Sequence, residues 1–202
     1  MPKAVKSTKK SRREQLVQAI VQIVAREGAE GLTFEKVGSA IGIPRAHVAY
    51  YFKDREAMLE AAITRVVEFG QECTLRRIES AKSQEDALCA SVDGAMDWLE
   101  KHPKYVVVLS LFGALATYHP RFKQLNTQIR EAGELRIVSL LESGAAEITR
   151  AEALNLARDI HGLLTGNIIG WASTRNKVSL VELRKRTRER TLQMIEKATA
   201  KA

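Results

Sequence analysis

The sequence predicts an all-α protein of about nine helices, and three observations carry that expectation. Apolar residues recur at helical spacing along most of the chain; Leu16, Ile20, Ile23 and Val24 show the pattern first, at the i, i+4, i+7, i+8 positions of one helix face. Helix-start signals recur too: Ser83 with Asp86, Thr149 with Glu152, and Ser179 with Glu182. In such pairs a hydroxyl and a carboxylate three residues apart can satisfy free backbone N–H groups. Only Tyr105 to Phe112, with three consecutive valines, has strand propensity. No second segment exists to pair with it, so it is expected to be helical.

The elements follow in order. Lys3, Lys6, Lys9, Lys10, Arg12 and Arg13 form a basic arm with no acidic residue and too little apolar surface to fold alone. The first helix should end at Gly28, which takes a cap conformation without a Cβ clash. A short helix should begin near Thr33, whose hydroxyl can cap it, with Phe34, Val37, Ala40 and Ile41 inward. Gly42 turns the chain, and Pro44 opens a third helix with Val48 and Phe52 buried. Asp54 caps a long fourth helix carrying Leu59, Ile63, Val66, Gly70 and Cys73. The stripe Leu88, Val92, Ala95, Met96, Leu99 marks a fifth helix that stops at His102-Pro103. Further helices are expected from about Arg121 to Glu142, near 150–175 and near 180–199.

Thr33 to Met58 reads TFEKVGSAIGIPRAHVAYYFKDREAM. Two short helices joined by a glycine turn and preceded by a packing helix make a helix-turn-helix unit. This stretch resembles the DNA-binding domain of the tetracycline-repressor (TetR) family, supplying Thr33, Val37, Gly42, Ile43, Val48, Tyr51, Phe52 and Glu56 in register. Arg55 stands where that family usually has lysine, Pro44 where it has a cap serine, His47 where it has threonine or serine, and Gly38 where it has alanine. Ala49 stands where it often has a tyrosine that touches DNA. The likeness covers about residues 11–65; beyond it only helix order and chain length agree.

The resemblance implies an N-terminal three-helix DNA-binding domain, residues 1–55, and a C-terminal helical ligand-binding and dimerisation domain, residues 56–202. The third helix would lie in the major groove. There Arg45 can pair with a guanine edge, Ala46 can allow close approach or meet a thymine methyl, and His47 can donate to a phosphate or a base. Tyr50 and Tyr51 offer hydroxyls to phosphates, and Lys53 and Arg55 offer charge. Thr33 offers a hydroxyl and a helix N-terminus. Tyr51 serves equally well as a core residue. The basic arm is either a solvated tail or a groove contact.

Composition agrees with a soluble, cytoplasmic protein. Lys and Arg number 32 against 24 acidic residues, a net +8 that favours polyanion partners without proving one. Cys73 and Cys89 sit in no C-x-x-C pair and are expected to be reduced. The longest apolar run, Val106 to Ala116, is too short to cross a bilayer. His47, His102, His119 and His161 show no metal spacing, and no phosphate-loop, dinucleotide or nucleophile-elbow pattern occurs. No catalytic residue, metal or cofactor is therefore expected.

The C-terminal helices carry two further signals. Gly162, Gly166 and Gly170 recur every four residues on one helix face, each costing up to about 1 kcal/mol relative to alanine. Either they pack closely inside one subunit, or another subunit's backbone comes near. The family likeness favours a homodimer through the last two helices. It also implies a small-molecule cavity, for which Trp98, Phe112, Tyr118, His161, Asn167 and Trp171 are candidates beside their plain role as core. These favour an apolar or aromatic effector. The expected function is repression: a homodimer covers a palindromic operator on double-stranded DNA, and the effector releases it. An activator, a regulator without a ligand, a non-specific architectural DNA binder, and a helical enzyme or carrier are the alternatives.

Overall fold

A computed structural model describes residues 11–143, 148–174 and 179–200. The described residues form nine helices: α1 (Arg12–Glu27), α2 (Phe34–Ile41), α3 (Arg45–Tyr51), α4 (Arg55–Ile78), α5 (Gln84–Lys101), α6 (Tyr105–Tyr118), α7 (Pro120–Glu142), α8 (Arg150–Thr174) and α9 (Leu180–Thr199). The chain divides within α4 into two compact units, one ending at Arg65 and the other starting at Val66.

In the first unit α1 packs on α2 and α2 on α3. Leu16, Ile20, Val24, Val37, Val48 and Met58 are fully enclosed. Helix α1 starts earlier than the basic-arm reading allowed. Ser11 caps it through the Glu14 N–H (3.2 Å), and the Glu14 carboxylate accepts from the Ser11 N–H (2.7 Å). This closed capping box puts Arg12 and Arg13 inside the helix. The remaining arm lysines lie outside the described residues. Thr33 caps α2 by accepting from the Lys36 N–H, and Asp54 caps α4 by accepting from the Ala57 N–H. Ala40 is exposed, so the inner face of α2 is Val37 with half-buried Phe34 and Ile41. Pro44 is the cap of α3 rather than its first residue.

The turn between α2 and α3 accounts for two glycines. Gly42 has φ +70°, a left-handed conformation that other residues adopt at a cost. At Gly38 an added Cβ would lie 2.5 Å from the Ile43 carbonyl oxygen. The tight return of the chain therefore explains the glycine where the family pattern has alanine.

The second unit is built from α7 on α8, α6 on α7, α5 on α9 and α8 on α9. Leu88, Ile137, Val138, Leu141, Ala153, Leu156, Ala157 and Ile160 form a buried cluster where α5, α7 and α8 meet. The valine run lies in α6, as expected, with Val106 and Val108 buried. Helix α9 is tied to α5 by ion pairs: Arg184 reaches Asp97 (3.0 Å) and Arg188 reaches Asp93 (3.5 Å). Burial alone would raise the Asp97 pKa, but hydrogen bonds from Arg77 and Arg184 outweigh it and hold the group below its ordinary value. Gly94 lets α5 cross α4 closely, since a Cβ there would lie 2.4 Å from the Thr74 Cα.

Candidate nucleic-acid interface and ligand cavity

Helix α3 and its flanks expose all eight residues expected at DNA: Thr33, Arg45, Ala46, His47, Tyr50, Tyr51, Lys53 and Arg55. The division of labour along α3 follows from its period. Val48, with Phe52 just beyond it, turns inward and anchors the helix, leaving the other faces free. Tyr50 is 84% exposed and Tyr51 38%, their rings meeting edge to face at 5.3 Å. Tyr50 therefore has no role in the core, whereas Tyr51 serves in part to brace it.

The two arginines differ. Arg45 Nε lies 2.6 Å from the Glu35 carboxylate, and its guanidinium carbon sits 5.7 Å from the Phe34 ring centre. Both partners of this ion pair remain mostly exposed, so water screens it and the side chain can be released. Glu35 was not among the expected site residues. Ten positions separate it from Arg45, and only the α2–α3 turn joins them. Arg55 donates to the Ala29 carbonyl and lies 3.6 Å from Glu30. It pins the start of α4 to the α1–α2 connection in addition to offering charge. Lys53 is freer, 3.8 Å from Asp54.

The second unit holds a partly open cavity of about 280 Å³, lined from α4 to α8, just below the ~300–1,000 Å³ usual for ligand sites. Of the expected residues, Trp98, Phe112 and His161 line it. Three others do not. Tyr118, at the end of α6, is 72% exposed; the Asn167 amide donates to Thr187 Oγ1 (2.9 Å) between α8 and α9; and Trp171, half-buried, lies away from the lining. Trp98 is held by a hydrogen bond from Nε1 to the Val66 carbonyl (3.3 Å) and rests against Gly70, where a Cβ would meet the indole at 3.3 Å. His161 lies against Gly133 of α7. Burial, and then the positive charge of Arg130, push its pKa below the ordinary value against a smaller pull from Glu134. Its Nδ1 is buried with no hydrogen-bond partner among the described residues.

Residues 16–62 match the family described as "Bacterial regulatory proteins, tetR family". Over 177 residues, covering 84% of this chain and 87% of the relative, the sequence is 29% identical to the HTH-type transcriptional regulator BetI of Stenotrophomonas maltophilia. The chain carries a DNA-binding segment that matches the TetR family. It is accordingly a DNA-binding transcriptional regulator with a helix-turn-helix. Solved structures of other transcriptional regulators share the fold. A Rhodococcus sp. regulator has a TM-score of 0.78 at 21% identity, with 91% of this chain and 98% of that one covered. A transcriptional regulator from Saccharomonospora viridis, solved in complex with choline, has a TM-score of 0.75 at 16% identity, covering 88% and 93%.

Two more features of this chain bear on its sites. Gly162, Gly166 and Gly170 are exposed, and a Cβ added at any of them would meet nothing within 4 Å. Close packing within the described chain is therefore not what these glycines serve. The cavity also contains polar residues the aromatic pattern did not signal, chiefly Arg130 and Arg136 on α7. Their signal in the sequence is a helical stripe, Asn126, Ile129, Arg130, Gly133, Arg136, Ile137, which mixes charge into a face that is only partly exposed. Among the described residues no helix is long and apolar enough to cross a membrane, and no cluster of three His, Cys, Asp or Glu could hold a metal.

Proposed function

We propose that the protein represses transcription as a homodimer on a palindromic operator and leaves the operator when a small molecule fills the cavity. The observation that carries this reading is the exposure of all eight expected contact residues around α3 while Val48 and Phe52 lock the helix to its core. DNA reading is assigned to residues 1–55, and effector binding and dimerisation to residues 56–202. Arg45 meets a guanine edge and Ala46 and His47 lie beside it, while Tyr50, Tyr51, Lys53, Arg55 and Thr33 hold phosphates.

One reading helix covers too few base pairs for an operator, and two-fold symmetry supplies a second about 34–36 Å away, or a multiple of it. The open glycine face of α8 supports the α8–α9 side as the place where the second copy approaches. The cavity supports an effector with an apolar or aromatic body, since Trp98, Phe112 and Ile168 line it; choline in the Saccharomonospora viridis structure is a small organic ligand in a protein of this fold. Helix α4 begins at Arg55, close after α3, and further along lines the cavity with Val66, Gly70 and Thr74. A ligand that shifts α4 therefore has a route to the reading helix.

Selection of bound genomic fragments by the purified protein tests this. The selected duplex should bind roughly 10³-fold or more tightly than random duplex. Equal affinities would make the protein an architectural binder. Transcription from the selected promoter should rise when the gene is deleted, and a fall would make it an activator.

A further inference from the structure

The cavity is apolar in bulk but not electrically neutral. Arg130, Arg136 and His161 all line it: the imidazole rests against Gly133, and each arginine is three residues from that glycine on α7. None of the described lining residues is acidic. Arg130 is partly neutralised, since it reaches the buried Glu134 at 3.3 Å, but Glu134 also faces Arg158 at 3.6 Å. That trio keeps one net positive charge. Arg136 is half-buried, and no described residue pairs with it by hydrogen bond or ion pair. A guanidinium taken partly out of water without an anion is costly, and a bound anion would relieve that cost.

We propose that Arg136, with Arg130 and His161 on either side of Gly133, forms a head-group subsite, so that the effector is an amphipathic organic anion. A carboxylate or phosphate would meet Arg136, and an apolar body would lie along Val66, Trp98, Phe112 and Ile168. A cation of the same size would enter a cavity of like charge with no carboxylate to receive it. His161, whose pKa burial and then Arg130 push below the ordinary value, brings a polar ring to the same part of the wall. The inference rests on the reading of the cavity as the effector site, and it narrows that reading from any apolar molecule to an anion.

The test is a fluorescence titration of the full chain with four probes sharing one body: octanoate, octyl phosphate, octanol and octyltrimethylammonium, with choline as a second cation. Trp98 in the cavity wall reports occupancy. Octanoate or octyl phosphate should bind about tenfold or more tightly than octanol, and the cations more weakly than octanol. The preferred anion of the two identifies the head group. Arg136→Gln should remove the preference for the anion while leaving octanol affinity unchanged, which also shows that the cavity is still formed. Arg136→Lys should restore part of the preference, because charge returns without the planar fork. Octanol or a cation binding as tightly as both anions, or an anion preference that survives Arg136→Gln, would overturn the assignment, as would no binding by any probe. Anion binding that depends on Arg136 but leaves operator affinity unchanged would uphold the subsite and sink the effector reading instead.

Discussion

The two units assemble their sites in opposite ways. In the first, the residues expected at DNA come from one continuous stretch, Thr33 to Arg55, and stand exposed on a scaffold closed by Leu16, Val37, Val48 and Phe52. In the second, the cavity is lined by residues from Val66 to Ile169, drawn from five helices. The difference teaches where each kind of site can be changed. A surface reader tolerates replacement of its contact residues because few of them support the core. A cavity wall such as Trp98, 3% exposed and bonded to Val66, cannot be replaced without loss of packing.

The largest effect that would sharpen this contrast is at the open glycine face. A Cβ added at Gly166 would meet no described atom within 4 Å, so with Gly166→Leu the monomer should fold normally and the helix-turn-helix should be intact. In a two-fold interface the substitution occurs twice. With overpacking at roughly 1–3 kcal/mol per site, the dimer should weaken by about 2–6 kcal/mol, visible by sedimentation. A variant still dimeric at nanomolar concentration would place the interface elsewhere.

Next in size is Arg45→Ala, which should lose about 1–3 kcal/mol of discrimination at one base pair, read by competition with point-mutated operators. Unchanged base preference would mean that α3 enters the groove in another register. Lys53→Ala should weaken all sequences alike and lower the salt slope by about one unit; a loss confined to one sequence would make Lys53 a base reader. Smallest is Glu35→Gln. Removing this exposed partner of Arg45 should tighten operator binding by up to about fivefold, since such pairs are worth at most about 1 kcal/mol. Weaker binding would show that Glu35 holds Arg45 in its reading position.

What the sequence made legible follows the same divide. Helix order, the Thr33 and Asp54 caps and the outward residues of α3 could all be read, because each depends on spacings of a few residues. The start of α1 was also local, through Ser11 and Glu14, but the run of positive charge around Arg12 and Arg13 masked it. The cavity was legible only as far as its aromatics. Trp98, Phe112 and His161 are there, while Tyr118 sits in solvent and Asn167 bonds Thr187, since the rotation of each helix about its axis is set by tertiary packing. Arg136 escaped notice because surface arginines are common, and only the gathering of α4, α5, α6 and α8 with α7 around one space makes this one part of a cavity wall.

Coupling between the cavity and α3 is read most directly from the reciprocity of the two sites. Operator affinity should be measured with and without the tightest-binding octyl probe, and probe affinity with and without operator. An effector acts only through unequal affinity for the DNA-bound and free states. The probe should weaken operator binding between about 5-fold and 150-fold, and operator should weaken the probe by the same factor. Affinities that are identical in all four conditions would contradict that coupling, leaving a DNA-binding regulator whose cavity is not a switch.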